Sequence, residues 1–256
     1  MSRTPLALVT GASSGIGAEI ARIHAARGGD LIVAARRQAE LDALKVELEA
    51  EHDVSVTPVA ADLGTSGGQS TVLAACEGRE VGILVNNAGF GGRGTFLERP
   101  LADDLAMIDL NIGALVTLCH ALGQRMAERG SGRILNVGST AGMMPGPLQA
   151  TYFASKAFVN SFSQALDEEL RERGVTVTLL APGYVETGFA ARADMEGIPL
   201  TKSGKDAASV ARHGYDAMMA GRLVAVNEPA LAVGTRLMGL MPRRAVLRMV
   251  RKMQTR

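Results

Sequence analysis

The chain has 256 residues, 47% hydrophobic and 21% charged, enough apolar material for one large domain with a well-buried core. A formal net charge of +1 supplies no global field to gather nucleic acid or an acidic partner. Two cysteines far apart and four histidines without ligand spacing argue against a disulfide framework and a metal site.

The opening Met1-Ser2-Arg3-Thr4-Pro5 runs straight into a strand-like segment and lacks the order of a signal peptide. No stretch of about 18 uninterrupted apolar residues is present, so no spanning helix is expected. With Cys76 and Cys119 read as reduced and buried, a cytoplasmic protein is the expectation.

In chain order, seven short apolar runs appear: Leu6–Thr10, Leu31–Ala35, Val54–Ala60, Val81–Val85, Arg133–Val137, Val175–Ala181 and Leu223–Val226. They lack polar alternation, as strands covered on both faces do. Helical spacing marks Ile16–Arg27, Ala39–Glu51, Leu105–Arg129 and Ala154–Arg173 between them. This alternation predicts an α/β fold, a single-domain Rossmann-like doubly wound parallel sheet of about seven strands with helices on both faces. Residues 1–230 are read as the catalytic domain and 231–256 as a basic amphipathic extension. Gly183–Lys205 is weakly periodic, follows a strand and is read as a mobile lid.

The first strand is followed by Gly11-Ala12-Ser13-Ser14-Gly15-Ile16-Gly17 and then a helix. Gly11 permits a tight turn. Gly15 and Gly17 let the backbone approach a diphosphate and let helix pack on strand. The helix N-terminus adds amide donors and positive potential for phosphates. A glycine-rich turn without a ligand would share this spacing, but the strand before and the helix after favour a dinucleotide.

The second strand ends Ala34-Ala35-Arg36-Arg37, with no acid until Glu40. An NAD site places an acid there, whereas a guanidinium suits the 2′-phosphate of NADP by charge and fork geometry. NADP(H) is therefore expected over NAD(H). Two solvated arginines at a strand end would read the same way.

Further on, Tyr152 and Lys156 sit at i, i+4 spacing on one helix face, with Ser139 thirteen residues before the tyrosine at the end of an apolar run. A phenol titrates near pH ~10, and a neighbouring ammonium lowers that value. The pair is a candidate acid/base, with Ser139 as hydrogen-bond donor. Tyr and Lys four apart are also common on solvated helix faces.

The set Thr10-Gly-Ala-Ser-Ser-Gly-Ile-Gly17, Asp62, Asn86-Asn87-Ala88-Gly89, Asn111, Ser139, Tyr152-x3-Lys156 and Pro182-Gly183-x3-Thr187 resembles the short-chain dehydrogenase/reductase family of the classical type. The resemblance covers about residues 5–230, in the family's order and spacing. It implies an NAD(P)-dependent oxidoreductase. Asp62 would hold the adenine amino group with Leu63 beside the ring. Asn87, Ala88 and Gly89 would pass under the adenosine ribose. Asn111 would position a water linking Lys156 to solvent. Pro182, Gly183, Val185 and Thr187 would contact the nicotinamide end. Ser139 would bond the substrate carbonyl, Tyr152 would donate the proton, and Lys156 would lower the Tyr152 pKa and bond the nicotinamide ribose. Asp62 and Asn87 could instead simply cap strand ends, and Thr187 could be an ordinary loop hydroxyl.

Thr140–Leu148, Phe90-Gly91-Gly92 and the lid residues Tyr184, Val185, Phe189 and Met195 are mostly apolar, which suits an apolar ketone or aldehyde. Met143 and Met144 either line that pocket or pack under the lid. Arg93, Arg192 and Lys202 either meet an acidic carrier, as in a 3-oxoacyl thioester reductase, or are solvated charges. A non-catalytic NADP-binding sensor is the alternative of another class, disfavoured because Tyr152 and Lys156 are both kept. A lyase is disfavoured because the glycine turn and Lys156 are kept.

After Glu228 no acid remains, while Arg236, Arg243, Arg244, Arg248, Arg251, Lys252 and Arg256 are interleaved with apolar residues. Pro242 should split this tail into two helices. Such a tail packs on its own domain, on a sister subunit or on an anionic membrane. The two long helices carry more apolar surface than one sheet face needs, at Ala154, Phe158, Phe162 and Ala165 for example. The resemblance then implies a homodimer or homotetramer.

Overall fold

The computed structural model describes residues 4–195, 197–201, 204–228, 234, 237 and 241–255. Lys202, Arg236, Arg256 and the expected boundary at 230/231 lie outside the described residues, as does the side chain of Arg192. The first half runs β1 (Leu6–Thr10), α1 (Gly15–Ala25), β2 (Leu31–Ala35), α2 (Gln38–Glu51), β3 (Val56–Ala60), α3 (Ser66–Ala74) and β4 (Val81–Asn86). The second runs α4 (Leu101–Ile108), a π-helical turn (Asp109–Ala114), α5 (Leu115–Arg129), β5 (Gly132–Val137), a 3-10 turn (Thr140–Met143), α6 (Ala150–Arg171) and β6 (Val175–Leu180). The remainder holds β7 (Val185–Glu186), α7 (Phe189–Arg192), β8 (Lys205–Asp206), α8 (Ala207–Met219), β9 (Val224–Ala225) and α9 (Arg243–Met253).

Seven strands form one parallel sheet in the order β3-β2-β1-β4-β5-β6-β9. The order reverses between β1 and β4, so right-handed crossovers place helices on opposite faces on either side of that seam. Side chains alternate along each strand. Ala7, Val9, Leu31, Val33, Ile83 and Val85 pack with α1, α2 and α8. Leu8, Ile32, Ala34 and Leu84 pack with α3, α5 and α6. Both faces are dry, so apolar residues occupy every position and no polar alternation appears in the sequence. Each fully buried Leu or Ile contributes about 1.5–3 kcal/mol by leaving water. Pro58 interrupts β3 without harm because β3 is an edge strand with one ladder only.

The expected helix Leu105–Arg129 is a longer rod, 101–129, interrupted by the π-helical turn around Asn111. By length and composition alone this rod, 29 residues with a mean hydropathy of 1.7 in its apolar window, could cross a membrane. That corrects the expectation of no such segment, which rested on uninterrupted apolar runs. In the fold, Leu115, Leu118, Leu122 and Met126 are buried in the sheet-facing layer, while Leu105 and Ile108 are exposed.

Two helices were not singled out from the sequence. In α3, Gly67 and Gly68 mask the helical signal, but the Thr65 hydroxyl accepts from Gly68 N at 3.0 Å and caps the N-terminus. In α8, the Asp206 carboxylate caps Ser209 N at 2.7 Å, and Val210, Gly214 and Met218 recur at i, i+4, i+8 on the buried side. Pro242 is the N-cap of α9, and the helix expected before it falls largely outside the described residues. Cys76 and Cys119 are free and buried.

Candidate active site at the carboxyl ends of the strands

The β1–β4 seam is closed by short side chains. Thr10 Oγ1 accepts from Asn87 N and Ala88 N, each at 3.0 Å, and donates to Val85 O at 3.2 Å. Asn87 Nδ2 donates back to Thr10 O at 3.0 Å and Gly11 O at 3.1 Å. Asn87 thus straps the two strand ends together, as the strand-end reading allowed.

Gly11 has φ +64°, and a Cβ there would lie 2.7 Å from Asn87 Nδ2. A Cβ on Gly17 would lie 2.5 Å from Gly11 O. Both glycines are therefore required by the closeness of the turn to β4 as well as by any ligand. Gly15, at φ +59°, faces Thr187, whose Cγ2 lies 3.0 Å from where a Cβ would stand. Ser14 is the extended N-cap of α1 and makes no side-chain cap bond, so the first amides of α1, Ile16 and Gly17 among them, remain for an anion. Arg37 leans over this turn. Its Nη2 donates to Ser13 Oγ at 3.0 Å and Ser14 Oγ at 3.1 Å, and its Nη1 pairs with Glu40 at 3.1 Å. Arg36 is exposed. The glycine cradle, the open amides and the guanidinium beside them fit a dinucleotide diphosphate and an added ribose phosphate.

Asp62 Oδ1 accepts from Gly64 N at 3.0 Å and caps the turn after β3. Leu63 is turned into the core, 3% exposed. Val185 is likewise buried, within the core layer that holds α1 and α8. Thr187 Oγ1 accepts from Phe189 N at 3.2 Å at the start of α7, the ordinary loop role.

Across the seam lies the reactive cluster. Ser139 ends β5 and caps the 3-10 turn, its Oγ accepting from Ala141 N at 3.0 Å and donating to Pro182 O at 3.4 Å. Asn160 grips the Ser139 backbone, Nδ2 donating to its carbonyl at 2.9 Å and Oδ1 accepting from its amide at 3.4 Å. Tyr152 and Lys156 lie one turn apart on α6, as their spacing demands. The Ser139 hydroxyl is close enough to the Tyr152 phenol to act on its titration. Lys156 Nζ donates to Val137 O at 2.7 Å. A Cβ on Gly89 would lie 2.9 Å from Asn111 Oδ1 and 3.7 Å from Lys156 Nζ, so the loop after β4 runs directly over the lysine. Asn111 Nδ2 donates to Phe90 O and Ser155 Oγ, each at 3.0 Å, while its Oδ1 accepts from Phe90 N at 3.1 Å. Its side chain is committed to this backbone clamp.

The electrostatics correct one expectation. Burial pushes the Tyr152 phenol up to about 12, opposed only in part by the Ser139 hydrogen bond, and burial lowers Lys156 to about 8. Desolvation therefore outweighs any lowering of the phenol by the ammonium. Tyr152 is a protonated donor at neutral pH, and Lys156 changes charge only slightly above it. Among the described residues no cluster of three His, Cys, Asp or Glu side chains could hold a metal.

Residues the sequence reading passed over include Ser155, Asn160 and Ser163, which with Tyr152 and Lys156 form a polar stripe at i, i+3, i+4 spacing along α6. A buried chain links Asn86 Nδ2 to Asn136 Oδ1 at 2.9 Å, and Asn136 Nδ2 to Ser163 Oγ at 3.0 Å. Burial, only partly offset by those amides, pushes the adjoining Cys119 thiol up to about 12. After β6, a cluster of Ala190, Ala193, Met195 and Ile198 carries Tyr184 and Phe189, in the segment expected to form a lid. The Phe189 ring stands 5.4 Å from that of Tyr152, tilted by 49°. Met144 packs against Phe153, whereas Met143 joins the core under the sheet. Arg93 is committed to the Gln254 carbonyl at 2.8 Å and Asp194 at 3.5 Å.

Residues 5–196 match the family model described as short chain dehydrogenase. A very-long-chain 3-oxoacyl-CoA reductase-B from Danio rerio is 36% identical over 185 residues, 71% of this chain and 60% of that protein. The chain thus aligns with about 60% of the length of the curated relatives first matched. Among solved structures, a short-chain dehydrogenase from Sphingobium yanoikuyae in complex with NADPH superposes with a TM-score of 0.83 at 34% identity, covering 93% of this chain and 95% of that one. A bulky-bulky ketone specific alcohol dehydrogenase from Comamonas testosteroni gives 0.82 at 32% identity, covering 93% and 91%. The parallel sheet, the glycine turn and the Ser139–Tyr152–Lys156 cluster occur here together with these matches, and the chain belongs to the short-chain dehydrogenase family.

Proposed function

We propose that the protein is an NADPH-dependent reductase of apolar ketones or aldehydes, with Tyr152 as the acid that protonates the carbonyl oxygen. The observation that carries this reading is Ser139, just after β5, beside Tyr152 on α6, with Lys156 buried one turn further along that helix. When bound, the nicotinamide supplies the hydride. With the Ser139 hydroxyl turned from Pro182 O to the substrate, Ser139 and Tyr152 would offer two donors to one oxygen and stabilise the charge that develops there. As C=O becomes CH–OH, the Tyr152 hydroxyl gives up its proton to that oxygen and is left as a tyrosinate. Its high pKa keeps the proton in place until the alkoxide forms, which favours reduction near neutral pH. Lys156, beneath Gly89, offers an ammonium to the ribose side of the cofactor.

The preference for NADP(H) rests on Arg37 over Ser13 and Ser14, with no acid at the end of β2. The apolar substrate rests on Phe189, Met144 and Phe153 around Tyr152. A 3-oxoacyl thioester reductase is the second reading, supported by the name of the zebrafish relative. Against it, Arg93 is already paired within the protein. Self-association into a dimer or tetramer is supported by exposed Leu105 and Ile108 on the long rod, and by half-exposed Phe158 stacked on Phe162 at 5.6 Å on α6. Oxidation of NADPH and NADH against a panel of ketones, aldehydes and 3-oxoacyl thioesters tests the whole reading. Turnover with apolar ketones or aldehydes is expected. Thioesters as sole substrates would replace it with the second reading, and no turnover would leave a cofactor-binding sensor.

A further inference from the structure

Three segments remote in sequence converge beside Tyr152. From α9, Val246 and Val250 stand one turn apart and are buried against Phe153, with Ala141, Met144 and Tyr152 around them. Ala141 and Met144 follow Ser139, and Phe153 follows Tyr152, so α9 braces the two pieces of chain that carry the reactive hydroxyls. From the lid, Phe189 leans on the Tyr152 ring. From the loop after β4, Arg93 reaches both. Its Nε donates to the Gln254 carbonyl at 2.8 Å at the end of α9, and its Nη1 pairs with Asp194 Oδ2 at 3.5 Å in the lid. Gln254 is fully buried, and its Oε1 accepts from Gln149 Nε2 at 2.7 Å, just before α6.

The backbone carries the same mark. Among the described residues, the non-glycine residues with positive φ are Leu148, at 69°, and Asp194, at 52°. Leu148 immediately precedes Gln149, and its carbonyl accepts from Gly94 N at 2.8 Å. Asp194 is the partner of Arg93. Left-handed backbone at such residues persists only where its surroundings over-determine it. Both instances lie at this junction.

We infer that Arg93 is a positioning residue that latches the substrate lid to the C-terminal helix, and that α9, through Val246 and Val250, is a fixed pocket wall setting the size of the carbonyl compound admitted. The second half of this inference rests on the reductase reading. A guanidinium is suited to the latch because its planar fork bonds two partners in different directions, whereas an ammonium on a flexible stem holds one at a time. Val246 and Val250 are committed to the site, while the basic residues of α9 face solvent together with Leu247, Met249 and Met253.

The test compares the full-length parent with V246A/V250A and R93M, using NADPH with cyclohexanone and a diaryl ketone. The double variant should shift the kcat/KM ratio toward the diaryl ketone about tenfold, by the methylenes removed. R93M should raise KM for both ketones about tenfold with little change in kcat. The double variant should not alter NADPH affinity measured by fluorescence, since Val246 and Val250 pack on Phe153 and not on the glycine turn. Should the double variant fail to fold, V250I should move the ratio the opposite way. A size preference unchanged in folded variants overturns the wall. The latch has a readout without turnover: chymotrypsin should cleave the lid near Tyr184 and Phe189 faster in R93M, with R93K only partly restoring protection. Equal cleavage in R93M and parent overturns the latch. A parent inert toward every carbonyl compound would refute the reductase reading and with it the wall, while the proteolysis result would still judge the latch.

Discussion

At the β1–β4 seam the molecule is closed by backbone and short side chains: Thr10, Asn87, Ala88 and two glycines within hydrogen-bond reach of one another. Over the far side of Tyr152 it is closed by long side chains from remote segments: Phe189, Arg93, Val246 and Gln254. The first kind of closure tolerates almost no change of shape. The second can be repacked by altering one side chain. On the proposed function, the first region would hold the cofactor rigidly and the second would adapt to the substrate, with α6 carrying Tyr152 and Lys156 between them.

The comparison can be broken at α6 itself, where the effect should be largest. Tyr152→Phe removes the proton donor and leaves the ring packing. It should lower kcat by about a hundredfold to ten-thousandfold, the range for a lost general acid, while NADPH binding by fluorescence stays intact. Turnover close to the parent's would remove Tyr152 from the chemistry.

A second break lies under the cofactor half. His24 is fully buried with Nδ1 2.8 Å from Tyr215 Oη, and burial lowers its pKa from 6.5 to about 4. The unfolded chain binds a proton as pH falls through 6.5, and the folded chain resists until about 4. Stability is therefore full above the higher value and is lost as pH falls between the two, by on the order of 3 kcal/mol. Urea unfolding at the two ends of that window measures the loss, and His24→Gln should flatten it. A parent whose stability does not change across the window would show that His24 titrates normally.

Arg37→Ala sharpens the cofactor side. A guanidinium bonded to a phosphate is worth about 1.5–3 kcal/mol, so KM for NADPH should rise roughly tenfold to a hundredfold while KM for NADH barely moves. Equal changes for the two cofactors would show that Arg37 only braces Ser13 and Ser14. The smallest effect concerns Lys156, whose buried ammonium loses its charge near pH 8. In the reduction direction, kcat/KM for NADPH should decline as pH rises through that value. Lys156→Arg, always charged below about pH 12, should remove the decline even if its level is lower. A parent profile flat through the same range would show that the charge on Lys156 is not used.

The cofactor half was legible in the sequence to within two residues at each strand, because every signal there is local. A strand dry on both faces must be a continuous apolar run, and a turn too tight for a Cβ must be glycine. Tyr152 and Lys156 were legible for the same reason, since helical spacing alone places them on one face. The π-helical turn at Asn111 was not, because Gly113 weakens the helix locally but does not by itself specify a π-turn. It arises where Asn111 bonds Phe90 and Ser155 from other elements. The rise of the Tyr152 pKa was equally hidden. The sequence shows a cation four residues away, but only burial decides that desolvation outweighs it.

By itself, then, the sequence determined the parallel sheet, the glycine turn and the placing of Tyr152 and Lys156 on one helix face, all properties of residues near one another in the chain. The tertiary structure decided what surrounds them. Arg93, Asp194, Gln149 and Gln254 form one junction, and α9 joins the wall beside Tyr152. Such contacts link residues up to 161 positions apart. No local period or propensity encodes them, and they exist only once the sheet has brought its carboxyl ends, the lid and the tail into one place.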